Sequence, residues 1–260
     1  MIEVSHLTKQ YGNHLAVDDV SFTVADGQIC GLLGPNGAGK STIMNILTGY
    51  LSATSGQVTV AGHPLPEEAD AAKACVGYLP EQPPLYPEMT VQEYLTFAAE
   101  LKGVKKAERK EQVCRAARRT GLEAVLPRLI RSLSKGYKQR VGIAQALLGS
   151  PRLIILDEPE TGLDFHNQIL VLNMVERLAH ESGISAIMNT HYPTNAMSVA
   201  DEVLMLNRKG EFFYGPAAEI LNEENISYSF DVQVLVDELH YQGRSVRSIV
   251  PVALREETAV

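Results

Sequence analysis

The segment Gly34-Pro-Asn-Gly-Ala-Gly-Lys40-Ser41 constrains this chain more than any other feature of its sequence. It fits the pattern G-x-x-x-x-G-K-[ST] and lies between a strand-like run, 28–33, and a helical pattern, 41–48. Glycines at these spacings let backbone N–H groups curl around a phosphate, and the following helix N-terminus adds partial positive charge. The alternative is a plain glycine-rich turn, which the flanking strand and helix disfavour.

We therefore predict a nucleotide-binding loop, in which Lys40 reaches the β- and γ-phosphates and the Ser41 hydroxyl binds Mg²⁺. The predicted phosphate-binding residues are Gly34, Pro35, Asn36, Gly37, Ala38, Gly39, Lys40, Ser41 and Thr42.

Two acids, Asp157 and Glu158, follow the apolar run 153–156. Open α/β sheets bind ligands at the carboxyl ends of their strands, which is where such a run would place the acids. We predict that Asp157 holds Mg²⁺ through water and that Glu158 polarises the water attacking the γ-phosphate. Taken alone, the pair would be a solvated strand end; the upstream loop favours the functional interpretation.

Hydrophobic patterning predicts the organisation of the chain. Short runs rich in β-branched residues dominate the first eighty residues, and apolar strands alternate with helices after residue 150, which indicates a parallel sheet covered on both faces. Residues 91–149 are predicted to be helical, beginning at a capping box over Thr90–Glu93. The predicted units are 1–90, 91–150, 151–225 and 226–260. In the last unit, 231–240 resembles an amphipathic helix and 248–254 a strand, and neither has an assigned role.

Composition narrows the functional classes. The 260 residues, 45% of them hydrophobic, suit one or two globular domains rather than a disordered chain or a rod. A net charge of −8 disfavours a nucleic-acid partner, which requires a cationic surface. Three scattered cysteines form neither a disulfide framework nor a zinc cluster. No apolar stretch approaches the length of a membrane span, so we expect a soluble, intracellular chain.

The segment Leu133-Ser-Lys-Gly-Tyr-Lys-Gln-Arg140 resembles the signature motif of ABC ATPases. Tyr11, Gln82, Glu160-Thr-Gly-Leu-Asp164 and His191 then occur in the order expected for that family, across residues 2–222. The resemblance implies an α/β P-loop NTPase (RecA-like) parallel-sheet core, with an N-terminal antiparallel β subdomain and an inserted α-helical subdomain.

Three implied residues concern the pairing of two subunits. Ser134 and Gly136 would face the γ-phosphate held by the phosphate loop of a second subunit, and Asp164 would help to align the pair. The physical basis is a hydroxyl, backbone N–H groups and a helix dipole directed at one anion. By itself, Ser134 would be an ordinary helix N-cap.

The remaining implied residues act within one subunit. Gln82 would contact Mg²⁺ or the attacking water, His191 would hydrogen-bond the γ-phosphate, and Tyr11 would stack on adenine. Each is unremarkable when considered alone, as a loop glutamine, a satisfied polar residue or a strand aromatic.

The sequence departs from the family at three positions. Lys135 stands where glycine is usual, Tyr137 where glutamine is usual, and Glu160 where a small hydroxyl residue is usual. Lys135 adds positive charge near the phosphate but puts the local backbone conformation in question; the change at Glu160 has no account from the sequence.

The function implied is that of an ATP-binding and ATP-hydrolysing subunit of an ABC transporter, with the proline-rich Gln82 loop most similar to exporters. Its cofactors would be ATP and Mg²⁺. Its partners would be a separate membrane-spanning permease and a second copy or a paralogous subunit, on the cytoplasmic face of the membrane. Leu85, Tyr86 and Met89 are predicted to be exposed in a docking groove for a permease helix. The alternatives are a soluble ABC-type ATPase in translation or DNA repair, a small-molecule P-loop kinase, and an ATP-binding regulator without turnover.

Overall fold

The computed structural model describes residues 1–255, apart from the side chains of Tyr241 and Arg244. The strands are β1 (Ile2–Tyr11), β2 (His14–Val24), β3 (Ile29–Leu33), β4 (Ser55–Val60), β5 (His63–Leu65), β6 (Val76–Leu79), β7 (Leu153–Asp157), β8 (Ser185–Asn189), β9 (Glu202–Leu206), β10 (Phe212–Pro216), β11 (Val232–Tyr241) and β12 (Arg244–Leu254). The α-helices are α1 (Lys40–Leu47), α2 (Ala69–Ala74), α3 (Val91–Leu101), α4 (Lys106–Arg119), α5 (Lys135–Ala146), α6 (Phe165–His180), α7 (Pro193–Val199), α8 (Ala217–Ile220) and α9 (Glu223–Phe230).

The central sheet has six strands in the order β10-β9-β3-β8-β7-β6. Five strands run parallel, and β10 pairs antiparallel with β9 at one edge. Every residue of β3 and β8 is buried, so both faces of these strands must be covered by other elements. This confirms the predicted parallel core and places the carboxyl ends of β3, β8 and β7 side by side.

The N-terminal strands form a separate antiparallel sheet in the order β2-β1-β4-β5. Ile2 and Val4 are buried while Glu3 and Ser5 are exposed, because successive side chains of a strand point to opposite faces. The buried face packs in one apolar cluster with Ile43 of α1. The antiparallel β subdomain is therefore confirmed.

Between β6 and β7 the chain carries α3, α4 and α5, which confirms the inserted helical subdomain. The predicted capping box is present at the start of α3: the Thr90 hydroxyl accepts from the Glu93 N–H, and the Thr90 N–H donates to the Glu93 carboxylate. Among residues 1–255, none of the helices combines the length and the apolarity needed to cross a bilayer.

The predicted helix over 231–240 is wrong, because β11 and β12 form a two-stranded antiparallel hairpin. Leu235 and Leu239 have the four-residue spacing of one helix face, yet both are more than half exposed. The residues that face the core are Val234 and Val236, which follow the two-residue period of a strand and pack near Ile226. The strand predicted over 248–254 is confirmed as part of β12.

The turn of this hairpin explains its register. Gln242 and Gly243 have φ angles of 49° and 75°, the left-handed pair of a two-residue hairpin turn. The Gln-Gly dipeptide between two apolar runs is the one local signal from which this hairpin could have been predicted, and it is weaker than the usual Asn-Gly.

Candidate functional site

The predicted nucleotide-binding loop connects β3 to α1 and lies tightly against its neighbours. Gly34 and Gly39 have φ angles of 141° and 97°. A Cβ at Gly34 would lie 2.5 Å from the Leu206 carbonyl oxygen, and one at Gly39 would lie 2.3 Å from that of Ala16. Only glycine fits these two positions. Gly39 is also the N-cap of α1 and makes no side-chain capping bond, which leaves the helix N-terminus suited to an anion.

Lys40 begins α1 and is only 5% exposed. Its ammonium donates to the carbonyl oxygens of Gly34 (2.6 Å) and Pro35 (3.0 Å), which holds the cation at the loop. Burial lowers the pKa of Lys40 to about 8, although the Glu158 and Asp157 carboxylates nearby favour its charged form. A phosphate in the loop would add negative charge close to this ammonium and would raise its pKa.

Asp157 lies at the carboxyl end of β7, opposite Asn189 at the end of β8. The Asn189 side-chain amide donates to Asp157 over 2.6 Å. Burial raises the pKa of Asp157, while this hydrogen bond acts in the opposite direction. The carboxylate is therefore oriented by a neighbouring strand, and nearby positive charge favours its ionised form.

Glu158 is fixed at both its backbone and its side chain. Its φ is 49°, unusual for a residue with a side chain, and its N–H donates to the Asn189 carbonyl (3.0 Å). One carboxylate oxygen accepts from the Thr161 hydroxyl (2.9 Å), and the other pairs with Nε2 of His191. These contacts restrict the carboxylate of Glu158 to one region beside the loop.

These groups line one cavity of about 360 Å³. The predicted residues that line it are Tyr11, Asn36, Gly37, Gly39, Lys40, Ser41, Thr42, Asp157, Glu158 and His191. His14, Ala16, Glu81 and Asn189 also line it and were not predicted. Tyr11 is 46% exposed, with the Lys9 ammonium 5.2 Å from its ring centre. The cavity thus joins an aromatic ring, a cationic loop and two carboxylates.

Seven predicted residues lie outside this lining. Three of them, Gly34, Pro35 and Ala38, belong to the phosphate loop itself, and the other four are Gln82, Ser134, Gly136 and Asp164. Gln82 is exposed in the loop after β6, and its neighbour Glu81 lines the cavity instead. Ser134 caps α5 by accepting from the Tyr137 N–H (3.4 Å).

Asp164 and Gly136 contribute to a second cluster around Asn167. Asp164 caps α6 by accepting from the Asn167 N–H (2.8 Å), and this bond holds the pKa of Asp164 below its usual value. A Cβ at Gly136 would lie 2.3 Å from the Asn167 side-chain oxygen. The start of α5 and the start of α6 therefore lie against each other, apart from the phosphate loop.

Sequence reasoning gave no account of Glu160, which is completely buried. One of its carboxylate oxygens accepts from the Thr190 hydroxyl and from the Asn195 side-chain amide (3.1 Å). The other has no hydrogen-bond partner among the described residues. Glu160 thus ties the loop that carries Glu158 to the loop that carries His191. Its partners are distant in sequence, so no local pattern could reveal it.

Structure also accounts for Lys135, one of the other departures from the family. A Cβ at Gly162 would lie 2.0 Å from the Lys135 ammonium, so this side chain lies along the 160–162 loop. The Arg140 guanidinium lies over the ring of Tyr137, 4.0 Å from its centre, in a cation–π contact. The helix α5 begins at Lys135 without glycine there, because Ser134 provides the cap.

Burial raises the pKa of Glu160, which generates a pH-dependent test of its placement. When the pKa of a carboxyl group is higher in the folded state than in the unfolded state, its contribution to stability is fully present at pH values below the unfolded-state pKa, near 4.5. This contribution is lost as the pH rises through the folded-state pKa. Glu160→Gln should therefore gain stability relative to the parent as the pH rises from about 5 to about 8. The free energy of unfolding in urea at both pH values measures this. Exposed Glu176→Gln is the control; a difference between Glu160→Gln and parent that does not change with pH would contradict the placement.

The comparisons with known proteins agree with this site. The family described as ABC transporter matches residues 17–161. The uncharacterized ABC transporter ATP-binding protein YxlF of Bacillus subtilis (strain 168) is 36% identical over 234 residues, 90% of this chain and 77% of that protein. Nod factor export ATP-binding protein I of Mesorhizobium japonicum is 34% identical over 222 residues, 85% of this chain and 65% of that protein.

Two solved structures share the fold. The structure of cbiO1 from Clostridium perfringens, part of the ABC transporter complex cbiONQ, has a TM-score of 0.79 at 26% identity, over 87% of this chain and 92% of that one. The dimeric structure of MJ0796, a bacterial ABC transporter cassette, has a TM-score of 0.72 at 25% identity, over 84% and 99%. Because the phosphate loop and the acid pair are present and these proteins are similar to the chain, the chain belongs to the ABC transporter family. It is an ATP-binding subunit that hydrolyses ATP.

Proposed function

We propose that two copies of this chain pair head to tail, with each ATP held between the phosphate loop of one copy and the Ser134 segment of the other. The separation of two half-sites carries this proposal. One cavity collects the loop, the acids and His191, whereas Ser134 and Gly136 lie outside its lining, at a helix N-terminus suited to an anion. A second copy brings the two halves together, and the dimeric MJ0796 cassette supports such pairing.

Hydrolysis in this proposal is mainly a matter of positioning and charge. Glu158 accepts a proton from the attacking water while the bond between the γ-phosphorus and its bridging oxygen breaks. The fixed backbone of Glu158 and its contacts with Thr161 and His191 aim its carboxylate at one place. The phosphate oxygens are neutralised or hydrogen-bonded by Lys40 and His191 of one copy and by Ser134 of the second copy.

The donor set of the cavity suits Mg²⁺. The Ser41 hydroxyl and the Asp157 carboxylate line the same cavity, and both are hard oxygen donors. Mg²⁺ bound with a nucleotide takes much of its coordination from phosphates and water, so it needs few protein ligands. Ser41 would hold Mg²⁺ directly and Asp157 through water; when bound, Mg²⁺ neutralises phosphate charge. Gln82 lies outside the cavity lining, so its contact with Mg²⁺ stays a prediction.

The transport role we propose is export through a separate membrane-spanning permease, with this chain bound peripherally at the cytoplasmic face of the membrane. The likeness to the Nod factor export protein supports this direction. Tyr86 is 52% exposed in the loop after β6, with its ring 5.6 Å from Phe97 and 6.1 Å from Tyr94. It offers an aromatic contact for a permease helix.

The prediction that Leu85 and Met89 are exposed is wrong. Both side chains are half-buried and pack against the apolar core that includes the helical subdomain. Their apolar character serves this packing, so Tyr86 alone remains as the exposed aromatic of the loop.

The alternatives have less support. The relatives named above are described as transport proteins, so they give no support to a soluble ATPase of translation or DNA repair. A small-molecule kinase would leave the Ser134 segment and His191 unexplained, and phosphate release without a phosphorylated acceptor would exclude it. A regulator without turnover would leave the constrained carboxylate of Glu158 without a role.

Replacing the proposed general base tests the mechanism. Glu158→Gln should bind ATP normally, hydrolyse it at least ~100-fold more slowly, and accumulate as an ATP-dependent dimer, because it forms the bridged pair but lacks the proton acceptor. Phosphate release and sedimentation with and without ATP measure these effects. Glu176→Gln, an exposed isosteric change on α6, should behave as the parent does. Hydrolysis by Glu158→Gln at the parental rate would remove Glu158 from the mechanism.

Permease binding has its own test. Tyr86→Asp should abolish co-purification of a multi-spanning polypeptide from detergent-solubilised native membranes, because it places a charge in an apolar contact. ATP binding by the isolated variant should be unchanged. Tyr50→Asp, which alters a tyrosine that is 84% exposed elsewhere, is the matched control and should retain the permease. Co-purification that survives Tyr86→Asp would contradict this docking site.

A further inference from the structure

A second cleft, of about 630 Å³, adjoins the nucleotide site. Its walls come from the start of α6, the loop after β8, α9 and the β11–β12 hairpin, and they are mostly apolar. His191 lines both this cleft and the cavity around the phosphate loop. Whatever covers the cleft therefore lies next to a residue of the nucleotide site.

An apolar strip leads into this cleft from the surface. Phe165 is 84% exposed and Ile169 59% exposed, and they lie one turn apart on the same face of α6. Tyr192, 53% exposed, lies on the other wall. Large apolar side chains grouped in this way at a functional site are typical of an interaction surface.

Phe165 lies near residues of both half-sites, which bears on what covers the cleft. On one side, Phe165 shares the cleft with His191. On the other, it directly follows Asp164, whose carboxylate accepts from Asn167, and the Asn167 side chain contacts Gly136 at the start of α5. Head-to-tail pairing exchanges these two half-sites about a two-fold axis, so a residue that lies near both of them lies close to that axis.

We propose that a second copy of this chain covers the cleft, with Phe165 of each copy inserted into the cleft of the other, against Tyr192 and the β11–β12 hairpin. The proposal rests on the head-to-tail pairing proposed above. It gives the hairpin, which the sequence left without a role, a place in the ATP-bound interface. Because each Phe165 is nearly fully exposed in one copy, its burial would occur only on pairing.

The anchor is tested in the Glu158→Gln background, where ATP should trap the pair. Phe165→Ala should weaken ATP-dependent dimerisation at least ~10-fold, because two aromatic anchors are lost in each pair. Tyr50→Ala is the matched control, since Tyr50 is also 84% exposed and lies after the end of α1, away from the cleft. Sedimentation velocity over a range of protein concentrations, with ATP and Mg²⁺, gives the dimer dissociation constants.

The hairpin wall has a separate pair of variants. Pro251 lines the cleft, whereas its exposed neighbour Val250 does not. Pro251→Asp should weaken the dimer because it would bury a charge at the interface, whereas Val250→Asp should leave it unchanged. Thermal unfolding and ATP binding by dilute, monomeric protein establish that each variant is folded.

These experiments distinguish a failure of the Phe165 anchor from a failure of the head-to-tail pairing. Failure of Glu158→Gln itself to dimerise with ATP would contradict the head-to-tail pairing and, with it, this occupant. If Glu158→Gln dimerises and both Phe165→Ala and Pro251→Asp dimerise as tightly as their controls, the pairing stands and the second copy is excluded from the cleft. Selective weakening by Phe165→Ala and Pro251→Asp supports the inserted anchor and the hairpin wall.

Discussion

The in-register pairing of β3, β8 and β7 determines where the charged groups of the nucleotide site lie. Parallel strands end at one edge of a sheet, so the phosphate loop after β3 and the acids at the end of β7 come together there. Asn189, on the strand between them, donates to Asp157 and accepts from the backbone N–H of Glu158. A shift of one residue in this register would turn Asp157 away from the loop.

Electrostatics makes this arrangement selective for a bound polyanion and its cation. Burial disfavours the charged forms of both Lys40 and Asp157, and opposite charge nearby favours them. A nucleotide would supply negative charge to Lys40, and the Mg²⁺ proposed above would supply positive charge to Asp157. Nucleotide binding and hydrolysis therefore change the net charge at this edge of the sheet. The loop that carries His191 begins there, and His191 also lines the second cleft.

Features with a local pattern were predictable from the sequence. The phosphate loop, the acid pair and the capping box at Thr90 each consist of neighbouring residues whose spacing carries the physics. The contacts of Glu160 with Thr190 and Asn195 could not be predicted, because they join residues about thirty positions apart through the fold. The C-terminal hairpin was missed because Leu235 and Leu239 have helical spacing, while packing of Val234 and Val236 against the core favours a strand. Glu81 rather than Gln82 lines the cavity, since the loop direction after β6 is set by tertiary packing.

We propose that one complete ATP site needs two copies of the chain. Mixing two inactive variants tests it most directly: Lys40→Ala disables the phosphate loop, and Ser134→Asp keeps a good helix cap but places a carboxylate against the phosphate. Each mixed pair contains one intact site, built from the Lys40 of one copy and the Ser134 of the other. We predict that the mixture hydrolyses ATP although neither variant does alone. A mixture that stays as inactive as its components would contradict the shared site.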